Sequence, residues 1–207
     1  APKVAIPRIL DMLERLEIQT TFFTPGWTCD NHPDSLESIL SKGHEVAAHS
    51  YMHERMTELS ADKETEVWDR SIAALERVGV KPRGYRAPYW LIGDRSIDHM
   101  RRLGFKYSSN MMDDDMPYLL KHRDVDTGIV ELPVEWLLDD WPHFEMDRKS
   151  PSEVYALWKP EWEALHTLER YFGLTCHPEC IGRASRLNML EKFLSEVKKT
   201  GNIWFPT

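Results

Sequence analysis

The chain has 207 residues, 42% of them hydrophobic and 29% charged, with a formal net charge of −8. That composition suits one soluble globular domain with a single buried core, and the acidic balance disfavours a nucleic-acid partner, which demands a basic footprint. No apolar run is long enough to span a bilayer, and Ala1-Pro2-Lys3 opens without a signal-peptide pattern, so no membrane partner is expected. The three cysteines, Cys29, Cys176 and Cys180, are too few for a disulfide scaffold; their odd count points to a reducing, cytoplasmic compartment.

Taken in chain order, Ile6 to Leu13 spaces its apolar residues as an amphipathic helix, with Pro7 in the first turn. Thr20-Thr21-Phe22-Phe23-Thr24 is β-branched and aromatic and ends at Pro25-Gly26, which predicts a strand. A helix over Asp34–Ser41 closes at Gly43, and Glu45-Val46-Ala47-Ala48 is a short buried strand. Ser60 is placed to cap a helix running to about Val78. Another helix spans about Arg95 to Leu103, followed by a strand near Phe105-Lys106-Tyr107. Residues 108–126 read as an acidic loop. Ile129–Leu132 is a strand, Pro151–Tyr171 a long helix, Gly173–Cys176 a strand, Ser185–Lys199 a helix and Ile203–Phe205 a closing strand. Such alternation predicts a parallel sheet covered by helices, with chemistry at the C-terminal ends of its strands.

Four clusters fall near such ends. His49 follows the strand Glu45–Ala48, and His53 comes four residues later; if one helical turn follows, both imidazoles stack on one face, suited to a divalent metal. Nine histidines produce about 0.4 such pairs by chance, so two surface histidines remain the bland alternative. In Arg86-Ala87-Pro88-Tyr89-Trp90, Pro88 forces Ala87 into extended backbone and leaves the Tyr89 amide to donate to a ligand, while Arg86 is able to grip a carboxylate. A packed aromatic loop with a solvated arginine fits equally. Asp139-Asp140-Trp141-Pro142 offers carboxylates beside an indole wall, or simply an exposed turn. In Cys176-His177-Pro178-Glu179-Cys180, His177 stands at a strand exit where a general acid or base is expected. A Cys-His-Cys metal site is conceivable there, but a buried apolar Cys176 is the simpler reading.

In this order the segments resemble the polysaccharide deacetylase (NodB-homology) family. Thr20–Phe23 is similar to its second core strand, Gly43-His44-Glu45-Val46-Ala47-Ala48-His49-Ser50-Tyr51-Met52-His53 to its metal-binding motif, and Tyr85-Arg86-Ala87-Pro88-Tyr89 to its Arg-x-Pro-Tyr motif. Asp140-Trp141 and Leu174-Thr175-Cys176-His177 match the fourth and fifth motifs. Ser108 to Asp115, Glu131-Leu132-Pro133 and His177-Pro178 look most like the intracellular branch of peptidoglycan deacetylase-like proteins, cyclic imide hydrolases and allantoinase-like enzymes. The resemblance implies a distorted, incomplete (β/α) barrel forming one catalytic domain over residues 1–207. It also implies a divalent metal, zinc by preference, on His49 and His53. Tyr89 then serves as oxyanion donor through its backbone N–H, Arg86 as partner of the catalytic base, and His177 as general acid tuned by Asp140. Trp90 and Trp141 are expected to line the substrate. The implied activity is metal-dependent hydrolysis of non-peptide C–N bonds in a small cyclic amide or imide or in an N-acetylated sugar, with a slight lean to the ring amide, in a chain able to form a homo-oligomer. The alternative is a catalytically degenerate carbohydrate-binding or structural homologue. The family's first motif, an Asp pair on the first strand that supplies the catalytic base and a third metal ligand, would lie before the opening helix; an upstream segment supplying a strand and a metal-binding Asp, or another chain covering the gap, is therefore expected.

Overall fold

The computed structural model describes all 207 residues, whose contacts divide into two compact units, Thr21–Pro133 and Ala1–Thr20 with Val134–Thr207. The first unit is built on a six-stranded sheet. Its strands are β1 (Thr21–Thr24), β2 (Glu45–Ala48), β3 (Gly84–Tyr85), β4 (Tyr107–Ser108), β5 (Tyr118–His122) and β6 (Val125–Glu131). The order is β1-β2-β3-β4-β6-β5, all pairs parallel except β5 with β6. This is the α/β architecture with a parallel sheet that the alternating pattern predicts, and hydrogen bonds do not close it into a barrel.

Helices α1 (Ala5–Arg15), α2 (Gly26–Asn31), α3 (Pro33–Ser41), α4 (Ala61–Arg77) and α5 (Asp94–Leu103) come next in chain order with α6 (Pro151–Thr167), α7 (Pro178–Ile181) and α8 (Ala184–Lys199). Ser60 caps α4 as expected, its hydroxyl accepting from the Lys63 amide. The core of the sheet unit gathers around Trp68, whose ring lies 4.3 Å from Tyr85 and 5.9 Å from Phe105, centroid to centroid. β3 can lie beside β4 only because residue 84 is glycine: a Cβ there would stand 1.9 Å from the Tyr107 ring. Tyr107 in turn donates to Glu45 Oε2 at 2.8 Å, as does Thr21 Oγ1, a polar row across β4, β2 and β1.

The other unit is helical. α1 buries Ile6, Ile9, Leu10, Met12 and Leu13 and packs on α7, where Gly182 lets the Ala5 backbone approach. α6 and α8 pack together through Trp158 and Phe193, and Arg15 pairs with Glu191.

Several expectations are corrected. Residues 108–126 are not a loop throughout: Tyr118–His122 and Val125–Glu131 form a hairpin. Its turn residues Arg123 and Asp124 both take positive φ, 51° and 61°, the geometry of a tight turn without the usual glycine signal. The helix from Pro151 stops at Thr167, not Tyr171, because Glu169 turns left-handed (φ 55°) and Arg170 N–H returns to Leu165 O. Gly173–Cys176 forms no full strand, only a parallel bridge between Thr175 and Asp139. Ile203–Phe205 is not a strand, having no partner and leaving Trp204 83% exposed. α2 is an element the sequence reading missed: Gly26-Trp27-Thr28-Cys29-Asp30-Asn31 is poor in helix formers. It is held by packing on α4 and by Asp30, which accepts from Tyr51 and Arg77. No helix is long and apolar enough to cross a membrane.

Candidate functional site

In the sheet unit, β2 delivers His49 and the segment after β3 delivers Arg86 to Trp90. No helical turn follows β2, contrary to the expectation from the i,i+4 spacing. Ser50 and His53 instead take positive φ, 58° and 67°, and fold the chain back so that the two imidazoles stand edge to face, centroids 4.9 Å apart. The loop is pinned by backbone donors: Tyr51 N–H and Met52 N–H both give to Glu54 Oε2, and Ser50 O accepts from Gly26 N–H and Ser71 Oγ. His49 Nδ1 lies 2.6 Å from Arg86 O. A carbonyl can only accept, so Nδ1 carries the proton and Nε2 the lone pair, the tautomer a metal ligand needs. Two imidazoles so close, one with its tautomer fixed, are a donor set that fits a zinc-like divalent ion.

Pro88 acts as the sequence predicts, with Ala87 at φ −75°, ψ 143°. Beyond it Tyr89 (φ 58°) and Trp90 (φ 56°) are both left-handed, so four of the chain's ten positive-φ non-glycine residues lie in these two loops. Such strain persists only where surroundings enforce it, and it gathers at functional sites. The Tyr89 ring is 47% exposed, 4.9 Å from the His53 ring, with the Arg55 guanidinium 4.3 Å over its face. Arg86 Nη2 donates to Ser109 Oγ at 2.8 Å, and its guanidinium covers the Phe23 ring. Trp90 is buried at 7% exposure, which leaves little of its indole for a substrate.

In the helical unit, the Thr175–Asp139 bridge sets two chain segments side by side, with Asp140 N–H donating to Thr175 O. This aligns Asp140, fully buried, with His177: the His177 amide gives to both carboxylate oxygens (3.0 and 3.1 Å), and Nδ1 gives to Oδ1 at 2.7 Å. Asp139 Oδ1 accepts from the Trp141 amide and lies 3.6 Å from His177 Nδ1. The 40%-exposed Trp141 stands 5.7 Å from the His177 ring. Burial works to lower the His177 pKa, but the hydrogen bond and charge of Asp140 outweigh it, and the imidazole is raised. Burial also pushes the Asp140 carboxyl up, against the opposing hydrogen bond from His177. Donor atoms of Asp139, Asp140 and His177 all lie within 4.8 Å of one another, close enough to hold a cation. Because Nδ1 is spent on Asp140, the group is better described as an oriented histidine–carboxylate dyad with Nε2 directed away from it. Burial and Asp140 push the Cys180 thiol far up, which removes it as a thiolate ligand.

The sequence did not single out Arg55, two residues beyond His53, and it marked Ser108-Ser109-Asn110 only as part of a family resemblance, without a role for this buried polar run at the exit of β4. Three polar residues leaving an apolar strand were the available signal.

Residues 1–108 match the family model described as polysaccharide deacetylase, just over half of the chain. The chain belongs to the polysaccharide deacetylase family. A solved structure from Mycobacterium smegmatis assigned as a polysaccharide deacetylase is 38% identical over 99% of this chain and 74% of its own, with a TM-score of 0.91. The peptidoglycan deacetylase of Helicobacter pylori is 28% identical over 96% of this chain and 79% of its own length. An allantoinase structure shares the fold, with a TM-score of 0.90 at 22% identity. As a polysaccharide deacetylase homologue the chain is a hydrolase of carbon–nitrogen bonds other than peptide bonds, the NodB-homology fold that the ordered motifs imply.

Proposed function

We propose that residues 1–207 form one catalytic domain that hydrolyses the N-acetyl amide of a sugar, with His49 and His53 as ligands of a divalent ion, zinc by preference. The observation that carries the reading is the His49–His53 pair at 4.9 Å, with His49 fixed in its metal-binding tautomer by the Arg86 carbonyl. Bound there, the ion would supply Lewis acidity and a water whose pKa falls towards neutrality. The protein's own groups supply the rest. The Tyr89 backbone N–H donates to the oxygen that gains charge as water adds to the carbonyl carbon. Arg86, held by Ser109 and Phe23, keeps positive charge at the β3 exit and serves as partner of the catalytic base, the first-motif Asp expected upstream, which would take the proton of the attacking water. His177 Nε2–H gives its proton to the leaving nitrogen as the C–N bond breaks, and Asp140 holds the imidazole charged until it does. Trp141 presents an exposed indole face for a sugar ring.

The names of relatives move the substrate preference from a ring amide to an N-acetyl sugar: a peptidoglycan deacetylase and chitin deacetylases are among them, whereas the allantoinase likeness concerns fold alone. A pinned histidine pair and an assembled dyad also favour an enzyme over a degenerate binding protein. The test is a zinc titration together with turnover of N-acetylglucosamine oligomers, succinimide, hydantoin and allantoin. We expect stoichiometric zinc, lost in His49→Ala, and acetate release from the oligomers. Ring opening without acetate release would reverse the substrate assignment, and absence of zinc binding would remove the metal reading.

A further inference from the structure

At the exit of β3 the strand ladder changes character. Ser109 N–H donates to Tyr85 O at 3.1 Å, as parallel pairing with β4 requires, but the next donor along, Ala87 N–H, goes to the side chain of Asn110 at 2.6 Å. The Asn110 carboxamide returns Nδ2–H to Tyr85 O (3.3 Å) and to Ser108 Oγ (2.9 Å). One side-chain amide thus stands where a strand's peptide group would be, and grips the main chain on both sides of Arg86. It is 3% exposed. Beneath it, the fully buried Glu131 accepts the Asn110 and Met111 amides on one oxygen, Oε1, at 2.5 and 2.9 Å, while Oε2 has no partner. A buried carboxylate oxygen left unsatisfied is costly and rare, so a group kept in that state warrants a role.

We infer that Asn110 is a positioning residue for the hydrolytic site: anchored by Glu131, it sets the Arg86 carbonyl against His49 Nδ1 and fixes the turn that presents Tyr89. The chain of contacts runs Glu131, Asn110, then Tyr85 O and Ala87 N–H, then Arg86 O, then His49. Loss of the carboxamide frees Ala87, and with it the two left-handed residues behind Pro88. A misplacement of about 1 Å there is enough to lower the rate substantially, because His49 and the Tyr89 amide must meet the substrate in register. This inference rests on the proposed assignment of His49 and Tyr89 to the active site.

The experiment compares wild type with Asn110→Ala, Glu131→Ala and Glu131→Gln, reading kcat and KM on N-acetylglucosamine oligomers and hydrogen exchange at the Ala87 amide. We expect Asn110→Ala to lower kcat about 10–100-fold with KM within about threefold, as losses in a supporting shell do. Ala87 exchange should quicken in parallel while amides of α4 keep their protection. Glu131→Gln retains an Oε1 acceptor for both amides and should restore what Glu131→Ala loses, which a role resting on the Glu131 charge would not allow. Should Asn110→Ala fail to fold, Asn110→Ser is read in the same way, since its hydroxyl is too short to reach Ala87. Unchanged kcat in a folded Asn110 variant, or unchanged Ala87 exchange, would overturn the inference. A wild-type protein that turns over no oligomer would sink the substrate reading instead, and the Ala87 exchange alone would then decide the positioning role.

Discussion

Replacing Gly84 with alanine tests how tightly the strand that feeds the catalytic loop is seated. The new Cβ would stand 1.9, 2.1 and 2.4 Å from three atoms of the Tyr107 ring, its register partner on β4. Restoring an ordinary carbon contact of about 3.5 Å requires the ring to retreat by roughly 1.5 Å. It cannot do so and keep its 2.8 Å hydrogen bond to Glu45. Overpacking costs about 1–3 kcal/mol, and the lost bond to a charged group about 1.5–3 kcal/mol. The stiffer unfolded chain returns only about 0.4–1 kcal/mol. The net expectation is a loss of about 2–5 kcal/mol, a large part of a typical domain's stability. Urea unfolding, with the midpoint shifting at constant m, measures it directly. The same substitution in a Tyr107→Ala background should cost little, because the obstructing ring is gone. A penalty below about 0.5 kcal/mol in the Tyr107 protein, or an equal penalty in both backgrounds, would refute the steric argument.

The raised His177 imidazole makes a linkage prediction. Its folded-state pKa lies above the ordinary value of about 6.5, so its stabilisation is complete below that value and is lost as pH rises through the folded pKa. Unfolding midpoints should fall across that window in wild type and lose the feature in His177→Gln; a persistent slope would assign it to another group. Glu64 is 1% exposed and binds Arg95 at 2.6 Å and Ser96 at 2.8 Å. Because the Arg95 side chain keeps 47% exposure and can be rehydrated, Glu64→Ala should cost about 1–3 kcal/mol, not the larger penalty of a fully buried pair. Trp90→Ala should cost about 3–5 kcal/mol in an unfolding assay, whereas Trp141→Ala should leave stability within about 0.5 kcal/mol and raise KM for sugar oligomers. Equal stability losses in the two would show that Trp141 is a packing residue.

The motifs were legible because each pairs unusual residue types with the end of a short apolar run. Glu45–Ala48 followed by two histidines, and Thr175 followed by His177, place side chains at element exits from sequence pattern alone. What pattern could not give was the backbone between them. The His49–His53 approach comes from left-handed Ser50 and His53, and neither residue type announces that conformation. The β5–β6 hairpin was hidden because Arg123-Asp124 turns without glycine or asparagine, inside a stretch whose Asp113-Asp114-Asp115 reads as solvated loop. The Asp140–His177 dyad joins residues 37 positions apart, and only the Thr175–Asp139 bridge brings them into register. Trp90 follows the Arg-x-Pro-Tyr segment directly, yet its burial depends on tertiary packing that local sequence does not encode.

Ser50, His53, Tyr89 and Trp90 hold conformations that glycine adopts without strain. A laboratory evolution campaign that rewarded heat resistance alone would be drawn to glycine at His53 and Tyr89, though not at Trp90, whose buried indole outweighs the strain relieved. It would return proteins that survive harsher treatment while the histidine pair and the Tyr89 turn relax out of alignment. Selection for thermostability in this scaffold therefore has to carry an activity screen in every round, because its most accessible gains lie on the residues that hold the site in shape.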